Sequence, residues 1–171
     1  MTALDFVGPT FVNFRDHVFP EDSTHGFRWV DLKSFRFRQG GQDRELLEAV
    51  IAHEQFRDDY AGGGVDPDGT CHGPYWLHSV SPDGYQPVSC DMATQTLRRW
   101  ACQHGELPES LRDVLDTELF TVVISASRLY RLRDLGSTCV HDWGGVHLDF
   151  HEFITIDEER QSMTLLVAAD D

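Results

Sequence analysis

Polar and apolar positions change period several times along the chain, and each change marks an element. The strongest signal lies in residues 144–169. Val146, Leu148 and Phe150 alternate there with His147, Asp149 and His151, the two-residue period of a strand. A polar turn at residues 157–160 separates this stretch from a second apolar run at 163–169, so the pattern predicts a β-hairpin. Residues 27–38 also alternate: Phe27, Trp29, Phe35 and Phe37 share one parity, while Arg28, Arg36 and Arg38 share the other. This predicts a half-buried strand with an arginine-bearing outer face, ended by Gly40 and Gly41. Asp31 and Lys33 fall on the apolar parity, which predicts a bulge or a break near the middle.

Helical spacing begins at Leu46, Leu47, Val50 and Ile51, with Asp43 as the expected cap and an end near Asp58. Glycines 62–64 stop it and open a long loop over 62–74, expected to be a lid or a mobile segment. A second hairpin is predicted from residues 75–80 and 85–89 around Ser81-Pro82-Asp83-Gly84. A helix capped by Ser89 or Asp91 should run to about His104, with Ala93, Leu97, Trp100 and Ala101 as its stripe. Pro108 opens a shorter helix with Leu111, Val114 and Leu115 inward. The β-branched run at 119–126 reads as a strand covered on both faces, and residues 127–133 extend it or turn helical. In residues 1–26 the aromatic and apolar positions, broken by Pro9 and Pro20, predict one short strand and an irregular packed segment. The fold expected is a single α+β domain over residues 1–171, a mostly antiparallel sheet with about three helices packed on one side.

Composition narrows the function classes. The 171 residues include 29 acidic and 14 basic ones, a formal net charge of −15. Such a surface repels phosphate backbones and anionic membranes, so nucleic acid and membrane are not expected partners; a basic protein is. No apolar run reaches about 18 residues, and residues 1–9 do not read as a secretory signal, so a cytoplasmic location is expected. Cys71, Cys90, Cys102 and Cys139 form no close pairs and are expected as free thiols.

Three groups of side chains carry candidate chemistry. His147, Asp149 and His151, with His141 upstream, are the candidate metal ligands, suited to zinc or non-haem iron. Same-face neighbours on a strand lie about 6.8 Å apart, so at most two of the three strand residues reach one ion, and others must come from His141, His72 or His78. Glu152 lies on the parity of Phe150, Ile154 and Ile156. If the strand is regular, its carboxylate enters an apolar face and is a candidate general acid or base; a bulge at 151–152 would return it to water. Tyr75, Trp76 and Trp143 are candidate anchors for a partner, since interface hot spots favour such rings. No phosphate-binding glycine loop, nucleophile elbow or dinucleotide fingerprint is present. The function expected is therefore a protein-binding module, inhibitor- or immunity-like and free of cofactor. The alternatives are a small metal-dependent enzyme or a cofactor-free ligand-binding, cyclase-like pocket.

Overall fold

Met163, Leu165 and Val167 alternate with Thr164, Leu166 and Ala168, so this stretch is apolar on both parities and needs cover on both sides. The computed structural model describes residues 2–38 and 41–171 and supplies that cover. Strand β1 (Leu4–Asn13) pairs with β2 (Arg28–Phe37). Helix α1 (Asp43–Ala52) follows, then a two-residue ladder of β3 (Cys71–His72) and β4 (Tyr75–Trp76). Next come β5 (Tyr85–Val88), α2 (Cys90–Ala101), α3 (Glu109–Leu115) and α4 (Thr121–Ser125), the last two joined by a π-helical stretch over Asp116–Phe120. Strands β6 (Arg128–Leu132), β7 (Asp149–Asp157) and β8 (Ser162–Asp170) complete the chain. The main sheet has six strands in the order β1-β2-β8-β7-β6-β5, antiparallel throughout.

The expected α+β architecture and antiparallel sheet are present, but the helices divide between the two faces. On one face Val30, Leu32, Leu166, Ala168 and Phe153 meet Leu97 and Trp100 of α2 and Leu111, Leu115 and Val123 of α3 and α4. On the other, Phe35, Phe37, Ile154, Ile156 and Leu165 meet Leu46, Leu47 and Val50 of α1, with Phe56, Tyr75 and Tyr85. The hairpin in the middle of the sheet holds its register without a slip from Asp149 opposite Asp170 to Asp157 opposite Ser162. Among the described residues no helix is long and apolar enough to cross a membrane.

Other expectations are corrected. Residues 119–125 are helical rather than a strand, because Leu111, Leu115, Leu119 and Val123 recur every four residues and bury one stripe. The second hairpin does not form: Tyr75 and Trp76 pair back onto Cys71 and His72, while residues 85–88 close the sheet against β6. Residues 128–132 are a strand. Strand β1 is ten residues long and tolerates Pro9 because it is an edge strand; its bulge lies at Phe6 to Gly8. Helix α1 stops at Ala52, and Asp43 caps nothing; it accepts instead from Arg128 Nε at 2.7 and 2.9 Å and from the Tyr130 hydroxyl. Arg28, expected outside, is fully buried and donates to the carbonyls of Trp100 and Ala101 at the end of α2. Gly40 lies outside the described residues.

Candidate functional site

The middle of the face covered by α1 is polar. Asp31 and Lys33 sit on the inward parity of β2 with Trp29 and Phe35, and β2 pairs with β8 without a bulge. The segment after α1 lies over them and brings Asp58 and Tyr60. Lys33 Nζ donates to Asp58 Oδ2 at 2.8 Å, to the Gln55 carbonyl at 3.0 Å and to the Tyr60 hydroxyl at 3.3 Å. An ammonium buried this deeply is tolerable only because its donors are taken. Asp31 is less well served. Its Oδ2 is sealed from solvent, accepts no hydrogen bond, and lies 3.8 Å from Lys33 Nζ. Burial raises its carboxyl to about 6; Lys33 pulls the other way and Asp58 adds to the rise. Tyr60 has a φ of +56°, unusual for a bulky residue, and its amide is tied to Asp58 Oδ1 at 2.8 Å.

Next to this set lies Glu152. No bulge forms at 151–152, so the carboxylate enters the apolar face. His72 Nε2 stands 2.5 Å from Glu152 Oε2, and the Tyr85 hydroxyl donates to Oε1. The His72 ring lies flat on Phe56, 3.5 Å between centroids and 6° between planes. Its Nδ1 is 2.6 Å from the Phe56 carbonyl, which can only accept, so Nδ1 carries a proton. The His72–Glu152 contact then holds one further proton, on either partner. Burial first, and Glu152 second, push the Tyr85 phenol well up and keep it a donor. His72 and Glu152 are sealed, at 0 % and 1 % exposure, and line neither of the clefts described below.

The candidate metal ligands do not converge. His147 precedes β7 and gives its Nε2–H to the Asp59 carbonyl at 2.9 Å. Asp149 and His151 lie on the opposite sheet face, paired with each other at 2.9 Å. Burial lowers the His151 imidazole, and Asp149 partly offsets this. His141 has both nitrogens engaged, Nε2–H donating to the Gly73 carbonyl at 2.7 Å and Nδ1 accepting the Trp143 amide at 3.1 Å. Among the described residues no three His, Cys, Asp or Glu side chains are placed to hold a metal ion. The reason is local: the strand begins only at Asp149, so His147 turns off its row.

Of the candidate anchors, Tyr75 is buried, with its hydroxyl at the Leu135 amide, and Trp76 is half-buried, 5.9 Å from His141. Trp143 is 72 % exposed. Beside it runs a groove of about 650 Å³ lined by Tyr75, Met92, Arg131, Arg133, Leu148 and His151, among others. Gly144 forms part of its wall; a β-carbon there would strike the Pro74 carbonyl, so only glycine lets the two segments meet. A second cleft, of about 410 Å³, opens at the other side of His147 over Phe11, Trp29, Asp31 and Tyr60.

Sequence reasoning missed Tyr60, Asp58 and Tyr85, which come from irregular or edge segments. The misfit of Asp31 and Lys33 on an apolar parity was the available signal for the polar cluster. No protein-family model matches the chain, and no curated protein sequence does. Two crystal structures of citrus MAF1 resemble it weakly. One aligns at a TM-score of 0.40 and 14 % identity, over 91 % of this chain and 92 % of that one. The other aligns at 0.41 and 12 %, over 91 % and 93 %. Likeness at that level assigns no activity to the chain.

Proposed function

We propose that the chain is a protein-binding module that docks a basic partner in the groove beside residues 143–148. The observation that carries this reading is the pair of exposed apolar side chains on that groove, Leu148 and Met92, with the exposed Trp143 next in sequence to its wall residue Gly144. Leu148 is 80 % exposed, Trp143 72 % and Met92 51 %. Apolar side chains this exposed on and next to a groove fit a surface that a partner covers. A tryptophan among them fits the usual composition of hot spots. The net charge of −15 supplies a long-range field that speeds encounter with a basic surface and weakens with salt. In this reading Trp143 and Leu148 are the anchors, Tyr75 forms part of the wall, and Trp76 packs behind it near His141. The sealed His72–Glu152–Tyr85 set holds β3 against the sheet and makes no contact with the partner.

The test is a photo-crosslinking amino acid placed at Leu148, with Ile124 as control. Ile124 is 64 % exposed but lines no part of the groove. The proposal expects a salt-sensitive cross-link from position 148 to one basic protein of the native cell. It expects none from position 124, and loss of the product when Trp143→Asp is added. Equal products from both positions, no product from 148, or an acidic partner would overturn it.

A further inference from the structure

The cleft over Phe11, Trp29, Tyr60 and Asp31 has a different chemistry and calls for a different ligand. Three aromatic rings line it in a row. Phe11 stacks on Trp29 at 5.9 Å, and Trp29 stacks on Tyr60 at 5.5 Å. Phe11 stays 58 % exposed, so an apolar surface is left open at the rim. The floor carries Asp31 and Asp58, and the Asp171 carboxylate stands at the edge, accepting from Trp29 Nε1 at 3.2 Å.

The charges on the floor do not cancel. One ammonium, Lys33, serves two carboxylates and gives its short hydrogen bond to Asp58. Asp31 is 8 % exposed and lines the cleft; its sealed Oδ2 accepts no hydrogen bond and has only Lys33, at 3.8 Å, as an ion-pair partner. A buried carboxylate oxygen that accepts no hydrogen bond is costly, and proteins seldom keep one without a use. Arg15 is the one cation among the lining residues, and it forms no ion pair with Asp31, Asp58 or Asp171.

We propose that this cleft binds a small organic ammonium ion, its charge beside Asp31 and its apolar substituent against Phe11, Trp29 and Tyr60. A cation gains twice here, from the carboxylate and from the electron-rich faces of the rings. The volume, about 410 Å³, lies within the range of small-molecule sites. An anion would meet three carboxylates, and a neutral molecule would leave Asp31 as it is. The site is separate from the groove of the proposed docking surface, and His147 stands between them.

The test is calorimetric titration of the purified chain with 2-phenylethylammonium, its neutral counterpart 2-phenylethanol, and the anion phenylacetate. Amide and indole NMR shifts are followed alongside. The ammonium is expected to bind and to move the Trp29 indole resonance. The alcohol and the anion should bind at least about tenfold more weakly, the scale of one charge-assisted contact. Asp31→Asn should weaken the ammonium by about tenfold or more, and Phe11→Ala, at an exposed edge position, by a smaller factor without loss of folding. Leu148→Asp, in the docking groove, should change nothing here. Equal binding of alcohol and ammonium, or no displacement of the Trp29 indole, overturns the proposal even if Asp31→Asn fails to fold. Unchanged ammonium affinity in a folded Asp31→Asn protein overturns it as well.

Discussion

Replacing Asp31 by asparagine should stabilise the protein at neutral pH, and the gain should fade in acid. Burial raises the Asp31 carboxyl from an ordinary value near 3.8 to about 6. A carboxyl whose folded value lies above its unfolded one favours folding while protonated and loses that advantage as pH rises through the folded value. The loss therefore runs from about pH 4 to about pH 6. The difference of about 2 units corresponds to about 3 kcal/mol at pH 7.5. Asparagine is nearly the same shape and cannot ionise, so the variant escapes this penalty. It also gives up attraction to Lys33, 3.8 Å away, so about 3 kcal/mol is an upper bound. The assay is chemical denaturation of both proteins at pH 4, 5, 6 and 7.5, plotting the difference in unfolding free energy. Other carboxylates titrate in both proteins and drop out of the difference. The gap should be near zero at pH 4 and open in favour of the variant by pH 7.5. A gap that favours the wild type at pH 7.5, or that does not change with pH, would mean that the Asp31 carboxylate carries no burial penalty. A more stable variant that no longer binds an organic ammonium would identify Asp31 as a group kept for function at a cost in stability.

Further outcomes follow from the buried polar contacts. Glu152→Leu leaves the His72 Nε2 and the Tyr85 hydroxyl without partners in a sealed site, so it should cost about 3–5 kcal/mol in denaturant titrations, while Glu152→Gln should cost less. Arg28→Met removes the donors that close the end of α2, and should cost about 2–4 kcal/mol, with hydrogen exchange rising first around residues 98–102.

The hairpin of β7 and β8 was legible from the alternation before Glu152 and the apolar run at 163–169 around a polar turn; of the two places the sequence left open for Glu152, the regular register gives the inward one. The α2 stripe was legible for the same reason at helical period. Residues 119–126 misled because Val122, Val123 and Ile124 favour a strand locally, whereas the four-residue recurrence from Leu111 to Val123 decides the packing. Asp31 and Lys33 were visible as a misfit, but their partners Asp58 and Tyr60 follow α1 in a segment whose path no periodicity describes. A polar pair on an apolar parity therefore read as a break in the strand, when it was the base of a buried cluster. The metal candidates failed on a boundary: a strand starting two residues earlier would have aligned His147 with Asp149. Arg28 shows the limit of parity on a sheet buried on both faces, where the polar row points into a core as deep as the apolar one.

Hydrogen exchange on the complex reports whether a partner sits in the groove. The partner captured from position 148 is mixed with the chain at low salt, and amide protection is mapped along the sequence. New protection is expected over residues 131–134 and 143–149 and near Met92, with none on the outer side of α4. Protection confined to α4 or to the edge of β1, with the groove unchanged, would contradict docking in the groove.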